Sequence, residues 1–268
     1  SGRFSYNHPN LQQIPSRGQF APEIRKLFIP EVGEYWLKAD YSQQEPRLLT
    51  HWACLVGQMG AEEVKEAYKK SDLDFHQQTA DMAGVERRLA KTIGLGVMYG
   101  MGYNKMAREL DIDPQDAKKM LADFRQRVPF MQGMLEAVMN RANSKGIIRT
   151  LLGRKCRFDL WEPSSWGVHK ALPHNQAKVE YGDAIKRAGT YKALNRLIQG
   201  SAADQTKKAM VDVYEELGVT PLIQVHDELD CSVKGEKEAK EIQRVMETCV
   251  ELEVPSKADI DLGESWGG

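Results

Sequence analysis

The sequence predicts an α+β protein, an antiparallel sheet into which a long, mostly helical stretch is inserted. Three observations point that way. Strand-like runs stand towards both ends of the chain: EYWLKAD at 34–40, then PLIQVHD, ELDCSV and ADIDLGESW between 221 and 266. Residues 60–145 between them carry apolar side chains at helical spacing, with no convincing strand. The resulting order is strand, helices, hairpin, helices, hairpin, helix, strand, which suits such a sheet.

Residues 1–20 are polar and turn-rich, with Asn7, Pro9, Pro15 and Gly18, and read as an irregular segment. EYWLKAD has a strand's bulk and ends at Asp40. Ser42-Gln43-Gln44-Glu45 has the pattern of a capping box, in which serine and glutamate each cap a backbone N–H, and it opens an apolar-periodic helix through about Leu55. Helical pattern fills 60–145, with caps at Asp72 and at Asp113 before Pro114. GIIRTLLGRKCRFDL (146–160) reads as two short strands around Leu152-Gly153. Residues 175–217 return to helix, which Gly218 stops. PLIQVHD reads as a buried strand and ELDCSV as its hairpin partner, so Asp227 and Glu228 lie at a tight turn. A helix over about 236–252 and the strand ADIDLGESW complete the order. There is no internal repeat and no low-complexity linker.

A chain of 268 residues, 41% of them hydrophobic, can bury the core of one large domain or two smaller ones. No run approaches 18 apolar residues, and the N-terminus has neither a basic nor an apolar leader region, which argues against a membrane span or a secretory signal. Cys54, Cys156, Cys231 and Cys249 are scattered without a C-x-x-C pair, the usage of a reducing compartment. The chain begins with Ser1, so we expect a trimmed or processed product, or part of a longer polypeptide. Its net charge of −1 gives no sign of an anionic partner, but the distribution does. Residues 87–208 hold 23 Lys/Arg against 11 Asp/Glu, a surplus of +12, and the rest of the chain is at −13. That split fits a basic surface beside an acidic one; solvated helix faces rich in lysine are the plainer alternative.

Chemistry enters at QVHDELD (224–230), where Asp227 and Glu228 stand in an apolar run. A buried carboxylate costs several kcal/mol unless something pairs with it, and a metal ion is such a partner. Asp40 and Asp227 each end an expected strand. Singly, each fits a cap or turn residue; if their strands are neighbours, the two converge as hard ligands suited to Mg²⁺, which keeps water and phosphate oxygens in its shell. In RRLAKTIGLGVMYG (87–100), Arg87, Lys91, Leu95 and Tyr99 recur at four-residue steps. On a helix they form one stripe of two cations, an apolar platform and an aromatic ring, suited to a triphosphate at one end and a base or sugar at the other. A bare RRxxK fits a solvated helix face equally.

Five blocks in order give these residues company. SGRFSYNHPNLQQIP (1–15), ADYSQQEPR (39–47), RRLAKTIGLGVMYG, NRLIQGSAAD (195–204) and QVHDEL (224–229) resemble the conserved blocks of family A, polymerase I-like DNA polymerases over nearly the whole chain. The resemblance implies a right-hand polymerase fold without its thumb: a palm of residues 1–56 and 176–268, with helical fingers of 57–175 inserted. It implies a DNA-directed DNA polymerase that uses two Mg²⁺ ions, primer-template DNA and dNTPs, in a bacterial or phage-infected cytoplasm. A thumb, with or without an exonuclease, would be supplied upstream or by another chain.

By the same resemblance, Asp40 and Asp227 are the metal ligands and Glu228 is their supporting acidic neighbour. Arg87 and Lys91 hold the triphosphate, and Lys91 can protonate the leaving pyrophosphate. Leu95 lies at the sugar and Tyr99 near the templating base. Glu45 excludes a ribose 2′-hydroxyl, a role compatible with capping, and His76 is a second phosphate-side contact. Arg3, Asn10, Gln12, Asn195 and Gln199 match primer-template contacts. His226 positions the turn or touches the primer end, with a packed histidine as the plainer alternative.

Departures from the family pattern carry their own expectations. Gly94-Leu95 replace an Asn-Phe pair, which removes an aromatic partner from the sugar and costs the helix about 1 kcal/mol. Gln44 and Pro46 stand where aliphatic residues are usual, and the proline is expected to remove an early helix hydrogen bond and tilt Glu45. Tyr191 replaces a common arginine. A single-subunit RNA polymerase, an idle DNA-binding accessory subunit and a metal-dependent phosphohydrolase are the rival readings. Glu45 and SGRFS favour DNA, and the intact charged residues favour catalysis.

Overall fold

A computed structural model describes residues 2–70, 73–165 and 167–268. A 3₁₀ turn (Leu11–Gln13) and a short helix α1 (Ala21–Arg25) precede strand β1 (Tyr35–Tyr41) and helix α2 (Gln44–Leu55). A helical series follows: α3 (Ala61–Lys70), α4 (Phe75–Ala83), α5 (Arg87–Met98), α6 (Tyr103–Leu110), α7 (Pro114–Arg127) and α8 (Pro129–Lys145). Next come β2 (Ile147–Arg149), β3 (Lys155–Arg157), β4 (Leu160–Pro163), β5 (Leu172–Pro173), α9 (His174–Tyr181) and β6 (Ile185–Arg187). The long helix α10 (Ala193–Leu217), the strands β7 (Ile223–Val225) and β8 (Glu228–Val233), helix α11 (Glu236–Thr248) and β9 (Ala258–Gly263) complete the chain. The architecture is the expected α+β class with antiparallel sheets. Two units divide it, residues 1–48 with 199–268, and residues 49–198.

In the first unit the sheet order is β7-β8-β1-β9, antiparallel throughout. Period-2 alternation decides its faces. Leu37, Ala39 and Tyr41 of β1 and Leu229, Cys231 and Val233 of β8 turn to one side, under Ala239, Ile242, Val245 and Met246 of α11 and Ala209 and Val213 of α10. Trp36 turns to the other side and packs with Ile223, Trp266, Leu11, Ile14 and Phe28. Each large apolar side chain buried this way contributes about 1.5–3 kcal/mol. A one-residue slip of β1 would exchange these groups for Lys38 and Asp40, so the register is strongly held.

The second unit is helical with two small sheets, β2-β3 and β5-β4-β6. Asp113 caps α7 as expected, accepting from the Gln115 N–H at 2.7 Å with Pro114 in the first turn. Asp74 caps α4, accepting from the N–H groups of His76 and Gln77 at 3.0 and 3.1 Å. Asp72, the cap expected from sequence, lies outside the described residues. The 146–160 hairpin forms around Gly153, in left-handed backbone (φ +82°). The helix expected over 175–217 is instead two, because Gly182 (φ +74°) and Gly189 (φ +69°) bracket a segment that pairs as β6 with β4. Among the described residues no helix is long and apolar enough to cross a membrane.

Candidate active site

The acidic residues meet in the first unit because of the β1 register. Asp40 lies opposite Glu228 on β8 and opposite Asp259 on β9, so three carboxylates form one row across the sheet. The turn between β7 and β8 is His226-Asp227, with Glu228 already the first residue of β8. His226 is left-handed (φ +57°), a conformation few non-glycine residues take, and the Tyr41 N–H donates to the Asp227 carbonyl at 3.3 Å. That bond ties the turn to the end of β1.

Electrostatics at this corner are those of crowded anions. Partial burial, then the like charges of Asp227, Glu228 and Asp259, push the Asp40 carboxyl up to about 7. Asp40 is open to solvent, so its desolvation is incomplete and the neighbouring charges are the firmer cause. Burial also raises Asp227, against the opposing charges of Arg3 and His226. Glu228 accepts a hydrogen bond from the Trp266 indole at 3.0 Å. Asp230, fully buried two residues along the same strand face, accepts from the Trp36 indole at 2.9 Å. Burial and the Glu228 charge hold Asp230 well above the usual carboxylate range. As a neutral acid it can donate its proton to the neighbouring Glu228 carboxylate, a hydrogen bond that adds to its raised proton affinity. No group of three or more His, Cys, Asp and Glu among the described residues forms a ready metal shell. Two hard carboxylates with raised proton affinity nevertheless fit a divalent cation in donor chemistry, since the cation would neutralise the charge they share.

Arg3 and Glu45 are joined by an ion pair at 2.6 Å. The capping box does not form as read: Gln43 is left-handed (φ +53°), α2 starts at Gln44, and the Glu45 carboxylate is turned to Arg3. Pro46 removes no helix bond, because it is the third residue of α2, where the N–H would lack an intrahelical partner anyway. Gln44, the other departure in this block, is buried, and its amide donates to the Gln205 side chain (3.2 Å), the Thr206 hydroxyl (3.1 Å) and the Ala202 carbonyl (3.3 Å). Polar partners on α10 thus match a polar residue in place of an aliphatic one.

In the second unit α5 carries Arg87, Lys91 and Leu95, with Tyr99 as its C-cap. Arg87, Lys91 and Tyr99 are exposed and Leu95 is half-buried, while Ile93, Gly94, Gly96 and Val97 face inward. Gly94 is buried, and a Cβ there would make ordinary contact with Met131 at 3.6 Å and Phe124 at 3.8 Å. Arg87 pairs with the α4 cap Asp74 at 2.6 Å. Partial burial and the charge of Lys91, then that of Arg87, lower His76, so these three groups share one neighbourhood. No carboxylate pairs with Lys91 among the described residues. At the end of α5, Gly100 is left-handed (φ +70°), and a Cβ there would lie 2.7 Å from the Tyr191 carbonyl oxygen. Only glycine fits that approach.

Of the remaining expected contacts, Arg3 and His226 line one small pocket with Gln224. Asn10 caps the 3₁₀ turn, accepting from the Gln12 N–H, and the Gln12 amide donates to the Gln224 side chain at 3.3 Å. Asn195 and Gln199 are half-buried, one turn apart on α10. His226 is exposed, at the turn. Sequence reasoning missed Asp230, Asp259 and Trp266. Asp230 had a signal, the i, i+2 spacing from Glu228 in ELD; the pairing of Trp266 with Glu228 had none.

The family model for DNA polymerase family A matches residues 1–268. A DNA-directed DNA polymerase of Pseudomonas phage M6 is 38% identical over 99% of this chain, and the thermostable DNA polymerase I of Thermus aquaticus is 33% identical over 99%. The chain spans 43% and 31% of the length of these two relatives. Among solved structures, the POL domain of Pol1 from M. smegmatis, in complex with DNA primer-template and dNTP, superposes with a TM-score of 0.80 at 30% identity, over 99% of this chain and 46% of that one. With β1 and the β7-β8 hairpin bringing Asp40, Asp227 and Glu228 together inside a full-length family match, the chain belongs to DNA polymerase family A.

Proposed function

We propose that this chain adds deoxynucleotides to a primer 3′-hydroxyl under the direction of a DNA template. The observation that carries the reading is the meeting of Asp40, Asp227 and Glu228 at one end of the β7-β8-β1-β9 sheet. In this reaction the 3′-oxygen forms a bond to the α-phosphorus as the bond to the β-phosphate oxygen breaks, and pyrophosphate leaves. Two Mg²⁺ ions, when bound, would supply Lewis acidity to the attacking and leaving oxygens. Asp40 and Asp227 would hold them, and Glu228 adds negative charge beside that pair.

The other residues position and neutralise. Lys91, with which no carboxylate pairs among the described residues, meets the triphosphate and delivers a proton or charge to the departing pyrophosphate; Arg87 joins it by exchanging Asp74 for phosphate. His76, held towards the neutral form, serves the same end as a hydrogen-bonding group. Leu95 supports the sugar, Tyr99 the templating base, and Glu45 denies room to a 2′-hydroxyl. Arg3, Asn10, Gln12, Asn195, Gln199 and His226 contact primer and template. In this reading residues 1–56 and 176–268 are the palm and 57–175 the fingers.

The test is primer extension with Mg²⁺ and either dNTPs or rNTPs. Templated extension with dNTPs is the expected result. Extension with rNTPs alone would indicate an RNA polymerase, DNA binding without extension an accessory subunit, and primer-independent triphosphate hydrolysis a phosphohydrolase.

A further inference from the structure

We propose that Trp266 is a positioning residue for Glu228, holding that carboxylate in place beside Asp40 and Asp227 through its indole N–H. The inference rests on the polymerase reading above. Among the described residues, the indole at 3.0 Å is the one N–H that reaches the Glu228 side chain. Together with the hydrogen bond between the Asp230 and Glu228 carboxyls, this indole decides which way the Glu228 oxygens point.

The tryptophan is itself tightly held. It is 1% exposed, its N–H on the main chain donates to the Phe28 carbonyl at 2.9 Å, and its ring meets Phe28 edge-on at 5.3 Å. It stacks on Trp36 with ring centroids 6.3 Å apart, and the Arg25 guanidinium lies 4.1 Å over its face. The following residue, Gly267, approaches α1 so closely that a Cβ would stand 2.7 Å from the Pro22 carbonyl oxygen. Ring, backbone and flanking glycine all fix the indole, so its N–H is a rigid reference for a residue at the edge of a turn. Trp36 does the same for Asp230 on the same strand face, at 2.9 Å. Two stacked indoles thus serve two acidic side chains spaced i, i+2. A ligand-side carboxylate held by packed neighbours keeps its geometry through the reaction, which is the general requirement for an efficient site.

The experiment compares the wild type with Trp266→Phe, Glu228→Gln and the double variant. Phenylalanine keeps most of the ring packing and loses the donor. Single-turnover extension should show a maximal rate about tenfold or more lower in Trp266→Phe, the rate equivalent of one lost hydrogen bond to a charged group. The dNTP half-saturation and DNA affinity should stay within about twofold. In the Glu228→Gln background the same substitution should add little, because both changes act through one contact. A readout independent of activity is the ¹H–¹⁵N resonance of the Trp266 indole, which should shift in Glu228→Gln as the acceptor loses its charge. Additive losses, a Trp266→Phe rate within twofold of wild type, or weakened DNA and dNTP binding in step with lower melting temperature would each overturn the proposal. An unmoved indole resonance would overturn the hydrogen bond itself. An inactive wild type with a responsive indole would instead overturn the polymerase reading, and with it the catalytic meaning of the bond.

Discussion

Replacing Asp40 by asparagine should abolish nucleotide addition and, in the absence of divalent cations, make the folded chain more stable at alkaline pH. The carboxyl rises from 3.8 to about 7 in the folded state, through partial burial and then the charges of Asp227, Glu228 and Asp259. Between those two values the folded chain keeps a proton that the unfolded chain has released. Stability linked to Asp40 is therefore fully present below pH 3.8 and lost progressively as pH rises towards 7. The whole rise would correspond to about 4 kcal/mol. Asp40 is open to solvent, and screening reduces the figure to about 1–2 kcal/mol. For a chain of this size that is a melting shift of about 3–6 °C. Thermal melting of wild type and Asp40→Asn at pH 4, 6 and 8 in a chelating buffer reads it directly. The curves should nearly coincide at pH 4 and separate at pH 8, with the variant higher. A gap of equal size at all three values, or a variant that melts lower at pH 8, would refute the electrostatic argument. Extension within tenfold of wild type would refute the metal-holding role.

Glu45→Ala should raise ribonucleotide relative to deoxyribonucleotide incorporation, measured as a ratio of kcat/KM values, and should cost under about 1 kcal/mol of stability despite losing the Arg3 ion pair, which is partly exposed. Lys91→Ala should raise the dNTP half-saturation about 10- to 100-fold, the equivalent of a lost charge-assisted contact, while primer-template affinity measured by anisotropy stays within twofold. Gly100→Ala should destabilise the chain by about 1–3 kcal/mol in thermal melting, because the left-handed backbone and the Tyr191 carbonyl at 2.7 Å both oppose a methyl group; an unchanged melting temperature would show that the backbone yields there.

The sequence made legible those parts of the fold that local chemistry decides. The strand at 34–40 is found because Tyr35, Trp36 and Leu37 give it a strand's bulk, and the structure buries Leu37 and Ala39 on one face of it. The α7 start is found because an aspartate before a proline has a defined capping role. Asp40 and Asp227 were placed at strand ends, and the register that makes Asp40 and Glu228 cross-strand partners follows once those strands are adjacent. What stayed hidden depends on distant partners. Nothing near Glu45 announces Arg3, and nothing in a terminal tryptophan announces Glu228. The helix drawn through 182–189 failed for a different reason: the apolar spacing was helical, but two glycines could take backbone angles that let the segment pair with β4. The expectation that Pro46 weakens α2 failed because its effect depends on which turn it occupies, and the helix begins one residue later than the box implied.

The buried amide of Gln44 has a consequence for how this chain can change. Its partners Gln205 and Thr206 lie 161 and 162 residues away, and Gln205 in turn donates to the Ser256 hydroxyl at 2.7 Å. Restoring the aliphatic residue usual in the family would leave these buried acceptors without their donor. A single swap is therefore expected to be harmful, and an apolar residue at 205 would in turn remove the bond to Ser256. Chimeras that exchange the 39–47 block between this chain and its relatives should carry the matching segment of α10 with it, or the graft will arrive without its counterpart.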